Sequence, residues 1–167
     1  MQELKQTGQS LSQQQFDTIL KQLDDLSAKL HVSCVMLINS AGRIMAEKTS
    51  AESMKDTTIL ATLAAGSFSA ATEMARQLGE SHDFRMVLHE GERRNIFVSS
   101  VNSEYYLIIV FDKGVAVGMV RLFAKRTIEA LQKSLTATGN DDAFSELFDQ
   151  KFSDLLGEKL DDSFKDF

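Results

Sequence analysis

The sequence predicts an α+β fold: an α/β sandwich with one five-stranded, mostly antiparallel sheet and helices on both of its faces. Three observations lead there. Periodic apolar stripes and strand-like runs follow the order helix, two strands, helix, three strands, helix. Every connection is short enough for a hairpin or an αβ loop. Two strand runs, near 34–38 and 105–111, are apolar almost throughout, as strands buried on both faces are.

Residues 1–11 are polar and read as a flexible N-terminus. Ser12, with Gln15 three residues on, has the pattern of a capping box that opens the first helix. Phe16, Ile19, Leu20, Leu23, Leu26 and Leu30 then recur at helical spacing, and the helix should end near His31. Ser33–Ser40 reads as a central strand and Ser40-Ala41-Gly42 as a tight turn. Arg43–Lys48 has polar ends and reads as an edge strand. After a linker over 49–55 comes a second helix, Thr57 to Gly79, closed by Gly79 as a left-handed cap. Phe84–His89 alternates, with Phe84, Met86 and Leu88 on one face and Arg85, Val87 and His89 on the other. Asn95–Val101 and Tyr105–Phe111 complete a meander, the last of them central. A third helix runs from about Val115 to Thr136, with Val117, Val120, Phe123, Ala124, Thr127, Ile128, Leu131 and Leu135 as its core stripe. The domain therefore spans 12–137, with one helix layer on one sheet face and the second helix alone on the other.

The second helix organises the rest. At about 100° per residue, Leu60, Leu63, Ala64, Ser67, Ala71, Met74 and Leu78 share a mostly apolar side, expected to lie on the core. Thr58, Thr62, Ala65, Gly66, Ser69, Glu73 and Arg76 take the opposite side. The first half of that side has almost no long side chain, whereas solvated helix faces are usually filled with Lys, Glu, Gln and Arg. Small residues let a second backbone approach closely. Two readings stay open: a partner protein lies on this face, or the face is buried inside the same domain.

The net charge of −6 belongs to the end of the chain. Residues 138–167 hold nine acids and three lysines, and the preceding 137 residues are neutral. A neutral body with an acidic tail argues against a nucleic-acid binder, whose phosphate contacts need clustered Lys and Arg, so no nucleic-acid partner is expected. Phe144, Leu147, Phe148, Phe152, Leu155, Leu156 and Leu160 recur at helical spacing in this tail. An acidic amphipathic segment so short needs a groove, on its own body or on a partner. Phe144, Leu147, Phe148 and Leu155 are its candidate docking residues, and the body should fold without it.

No apolar run is long enough to span a membrane, and the N-terminus lacks a signal-peptide core, so the chain is expected in the cytoplasm. Cys34, the only cysteine, reads as a small core residue. His31, His82 and His89 are scattered, there is no phosphate-binding glycine loop, and no nucleophile sits beside a base. No catalytic residue, metal site or cofactor is therefore expected. Arg43, Arg93 and Arg94 fall at turns and read as solvated.

Three stretches resemble the Roadblock/LC7 family, and within it the bacterial polarity members. They are Ile59–Glu80 (ILATLAAGSFSAATEMARQLGE), the hairpin Val87–Val98 (VLHEGERRNIFV) and the junction Leu107–Arg126 (LIIVFDKGVAVGMVRLFAKR). The resemblance covers about 12–137. It implies a homodimer joined through edge strands, with the paired central helices as a platform for a small Ras-like GTPase. It further implies that such a member stimulates GTP hydrolysis by ordering the GTPase's own catalytic groups, in polarity or motility and at a cell pole. Placed on this chain, the GTPase would meet Thr62, Ala65, Gly66, Ser69, Ala70 and Glu73. The dimer would form through Arg85, Met86, Val87 and Leu88. Other relatives are adaptors that bind a GTPase or motor complex without changing turnover. Sheet-and-helix small-molecule sensors share the broad architecture, but the unbroken apolar runs Cys34–Ile38 and Leu107–Phe111 favour a packed core over a ligand pocket.

Overall fold

The computed structural model describes residues 10–50, 54 and 56–137. The expectations for most of the N-terminal segment and for the acidic tail fall outside these residues. The elements are α1 (Gln13–Leu30), β1 (Cys34–Asn39), β2 (Ile44–Thr49), α2 (Thr57–Gln77), β3 (Met86–Glu90), β4 (Arg94–Ser100), β5 (Tyr105–Asp112) and α3 (Val117–Thr136). The five strands form one antiparallel sheet in the order β2-β1-β5-β4-β3. β5 is thus central, and β2 and β3 are the two edges.

Local chemistry sets the element ends. The Ser12 hydroxyl accepts from the Gln15 N–H while the Gln15 side chain accepts from the Ser12 N–H, so the capping box is formed in full. His31 closes α1 in the left-handed region, with φ 51°. Asp56 caps α2 by accepting from the N–H groups of Thr58 and Ile59. Gly79, at φ +74°, ends it in a Schellman turn: Gly79 N–H donates to the Arg76 carbonyl and Glu80 N–H to the Ala75 carbonyl, both at 3.1 Å.

The strands' two-residue period divides the core. Val35, Leu37, Leu107, Ile109, Phe111 and Phe97 face α1 and α3. Cys34, Met36, Ile38, Ile108, Val110 and Val98 face α2. The runs read as doubly buried, β1 and β5, lie between these two layers. α1 and α3 pack against each other and are tied by Gln15 Nε2 donating to the Ser134 carbonyl (3.0 Å) and Gln22 Nε2 donating to Ser134 Oγ (2.9 Å).

The orientation of α2 corrects the sequence reading. Its buried residues are Ala61, Ala64, Ala65, Phe68, Ala71 and Ala75. Leu63, Met74 and Leu78, expected on the core, are exposed, and Ala65, expected outside, is only 4% exposed. The helix is turned so that alanines lie on the sheet. Small side chains let the helix axis sit close to the strands. Phe68 fills the remaining space against Tyr106, with ring centroids 4.6 Å apart. The face is divided: Ala65 is core, whereas Thr62, Gly66 and Ser69 are exposed.

Candidate protein-docking surface

Outside the core contact, α2 presents Thr62, Gly66, Ser69, Ala70 and Glu73 together with Ile59, Leu63 and Met74, all exposed. Leu63 and Met74 are 65% and 55% exposed. Large apolar side chains left in solvent along one helix face mark an interaction surface more strongly than scattered single ones do. Of the six positions the sequence singled out for a partner, five are brought together here. Ala65 is removed from the set because its side chain points into the core.

The two flanks of α2 differ. On one, Ser67 Oγ lies 2.9 Å from His89 Nε2, which ties the helix to β3. Leu63, Ser67 and Met74 share this side at helical spacing, so the apolar flank runs beside the open edge strand. His89 is therefore a tie between layers. On the other flank Gly42, at φ +83° in the β1–β2 turn, approaches the backbone of Thr62 so closely that a Cβ would stand 2.7 Å from the Thr62 Cα. Only glycine allows that contact. Between the flanks, Gly66 has open space around it, with nothing within 4 Å of a Cβ built there.

β3 supplies the second part of the surface. Met86, Val87 and Leu88 are half-buried, with Met86 and Leu88 on the α1/α3 side and Val87 on the α2 side, as the alternation predicts. Arg85 precedes the strand as assigned, yet its carbonyl accepts from Ser100 N–H (3.3 Å) and Ser99 Oγ (2.8 Å). Direct pairing at Arg85 makes Val87 and His89 the hydrogen-bonded positions toward β4. The backbone groups of Met86 and Leu88 then point outward and are free for another strand.

The surface is electrostatically quiet. Arg76 holds the Glu73 carboxyl below its ordinary range through paired hydrogen bonds, assisted by Gln77. Elsewhere, burial pushes the Cys34 thiol up to about 11, with Thr49 as its hydrogen-bonding neighbour, so it is a neutral core group. Among the described residues no cluster of His, Cys, Asp or Glu could hold a metal ion. No described helix is long and apolar enough to cross a membrane. Arg94 reaches Asp112 at 3.5 Å across the β4–β5 pair. The arrangement presents an exposed, partly apolar helix face beside an edge strand.

What sequence reasoning missed was the exposed apolar flank. A signal was present: Ala61, Ala64, Phe68, Ala71 and Ala75 form an unbroken stripe at helical spacing. The larger side chains of the neighbouring face concealed it.

The Roadblock/LC7 domain model matches residues 18–111. Among solved structures, MglB of Myxococcus xanthus is 28% identical, covers 76% of this chain and 94% of its own, and superposes with a TM-score of 0.70. A structure described as MglB with tetrameric arrangement is 28% identical, with coverage of 74% and 92% and a TM-score of 0.70. The gliding protein MglB of Thermus thermophilus is 29% identical, with coverage of 74% and 93% and a TM-score of 0.68. No curated protein matches.

Proposed function

The chain belongs to the Roadblock/LC7 family, and on that footing we propose that it is a homodimeric regulator that binds a small Ras-like GTPase and stimulates its GTP hydrolysis. The observation that carries the proposal is the two-part surface. An apolar flank, Leu63 and Met74, adjoins the open edge of β3, and a centre of small residues adjoins that flank. The edge and apolar flank suit pairing with a second copy around a two-fold axis, through the outward backbone of Met86 and Leu88. Arg85 and Val87 lie within the same edge segment. The likeness to an MglB described in a tetrameric arrangement supports self-association. Pairing then sets two α2 helices side by side, and Thr62, Gly66, Ser69, Ala70 and Glu73 form the GTPase platform.

The mechanism is a shift of population. A flat, neutral platform that fits the hydrolysis-competent arrangement of the GTPase switch loops, and not the relaxed one, raises the share of the competent state by its differential affinity. The chain supplies no reacting group, and catalysis stays with the GTPase. This role places it in the cytoplasm, at a cell pole, in polarity or motility. The test is phosphate release by a Ras-like GTPase of the same cell, with and without the protein, beside pull-downs in the GDP and GTP states. Faster release supports the proposal. Binding without any change in rate replaces it with the scaffold reading.

A further inference from the structure

α3 has a second exposed face that the GTPase platform does not use. Met119 and Leu122 are 46% and 45% exposed on it. α3 carries four bases, Arg121, Lys125, Arg126 and Lys133, against the single acid Glu129. The ion pairs found among the described residues are Lys48–Asp24, Arg76–Glu73 and Arg94–Asp112, none of which involves α3. Beside this face runs a groove of about 170 Å³ between α1 and α3, lined by the bases Lys29 and Arg126, the acid Asp25, and Gln22, Leu26 and Phe123 among others. Arg126 lies over the Phe123 ring at 5.8 Å. Gln22 uses its Nε2 toward Ser134 and Ala130, while its buried Oε1 has no hydrogen-bond partner.

We propose that this groove is occupied by the chain's own C-terminal segment, residues 144–160, packed antiparallel along α3. The charges are complementary: residues 144–160 hold four acids and two lysines, against a helix with an excess of three bases. The apolar surfaces are complementary too: run antiparallel from Phe144 beside Lys133, the segment would set Phe152, Leu155 and Leu156 against Phe123, Leu122 and Met119, with Phe144, Leu147 and Phe148 nearer Arg126–Lys133. The connection also fits. The described helix ends at Thr136, and the seven residues 137–143 are a number within the usual range for connecting an antiparallel helix pair. As a helix, residues 144–160 would run about 25 Å, and the stretch from Met119 to Lys133 runs about 21 Å. The inference stands whether or not the chain regulates a GTPase.

The test is a nitroxide on Ser153→Cys in the full-length protein, opposite the Phe/Leu stripe, read by broadening of backbone amide signals. The expected result is broadening across Met119–Lys133 and Gln22–Lys29 within the labelled molecule. No broadening there, or broadening centred on α2, overturns the proposal. So does broadening that appears only in a mixture of spin-labelled and separately isotope-labelled copies, since that assigns the groove to a second copy. In a second measurement, Leu122→Glu with Arg126→Glu should lower amide-exchange protection over 144–160 by about tenfold. These exposed residues leave the core intact, so unchanged protection with an unchanged fold also overturns it.

Discussion

Ala65 and Gly66 are neighbours in sequence and should respond to the same substitution in opposite ways. The Ala65 side chain is buried among Met36, Ile108 and Phe68 on the α2 side of the sheet. Ala65→Arg forces a guanidinium toward that layer or tilts the helix away from it. Removing the charge from water costs several kcal/mol, offset in part as the long stem reaches for solvent, so the net loss should be about 3–5 kcal/mol. At roughly 4 °C per kcal/mol for a domain of this size, the melting temperature should fall by about 12–20 °C. Gly66 has nothing within 4 Å of its added Cβ. Gly66→Arg there replaces a poor helix former by a good one, a gain of about 0.8 kcal/mol and roughly 3 °C. Differential scanning calorimetry of both variants at one protein concentration, with far-ultraviolet circular dichroism, reads the contrast. If Ala65→Arg melts like the unaltered protein, or Gly66→Arg collapses with it, α2 is not turned as described.

Phe68→Ala removes the Tyr106 ring contact and leaves a cavity under α2; it should cost about 3–5 kcal/mol by chemical denaturation. Leu63→Glu, at an exposed site beside β3, should convert the proposed dimer to monomer in light scattering while keeping the helical dichroism, and a persisting dimer would remove the apolar flank from the interface. The Cys34 thiol, raised from 9.0 to about 11, should resist alkylation at pH 8 until the protein unfolds. Because its folded value lies above its unfolded one, the folded form keeps a proton that the unfolded form loses. The thiol's contribution is therefore intact below about pH 9 and declines as pH rises toward 11, which a Cys34→Ala comparison in alkaline denaturation would isolate.

The fold was legible because its signals are local and redundant. Two-residue alternation in Met86–Leu88, unbroken apolar runs in β1 and β5, the Ser12–Gln15 box and the Gly79 stop each depend on a few adjacent residues. The face of α2 was not legible in the same way. Its apolar residues surround most of the helix, and hydrophobicity alone favours Leu63 and Met74 for the core over Ala61 and Ala75. What decides is how close the helix must come to the sheet, a tertiary distance that only small side chains satisfy. The tie between Ser67 and His89, and the approach of Gly42 to Thr62, join residues far apart in sequence and left no local pattern. Five of the six expected partner positions still fall on one surface, because Thr62, Gly66, Ser69, Ala70 and Glu73 lie opposite the alanine stripe whichever apolar residues flank it.

The central claim is that the small-residue centre of α2 is where a GTPase is held in its hydrolysing state. The most direct measurement is GTP hydrolysis by a Ras-like GTPase of the same cell, with the unaltered protein and with Gly66→Arg, each first shown to be folded. The unaltered protein should accelerate hydrolysis well above the intrinsic rate, and Gly66→Arg should return it to that rate with loss of binding. Equal stimulation by both proteins, or no stimulation by the unaltered protein, would contradict the claim.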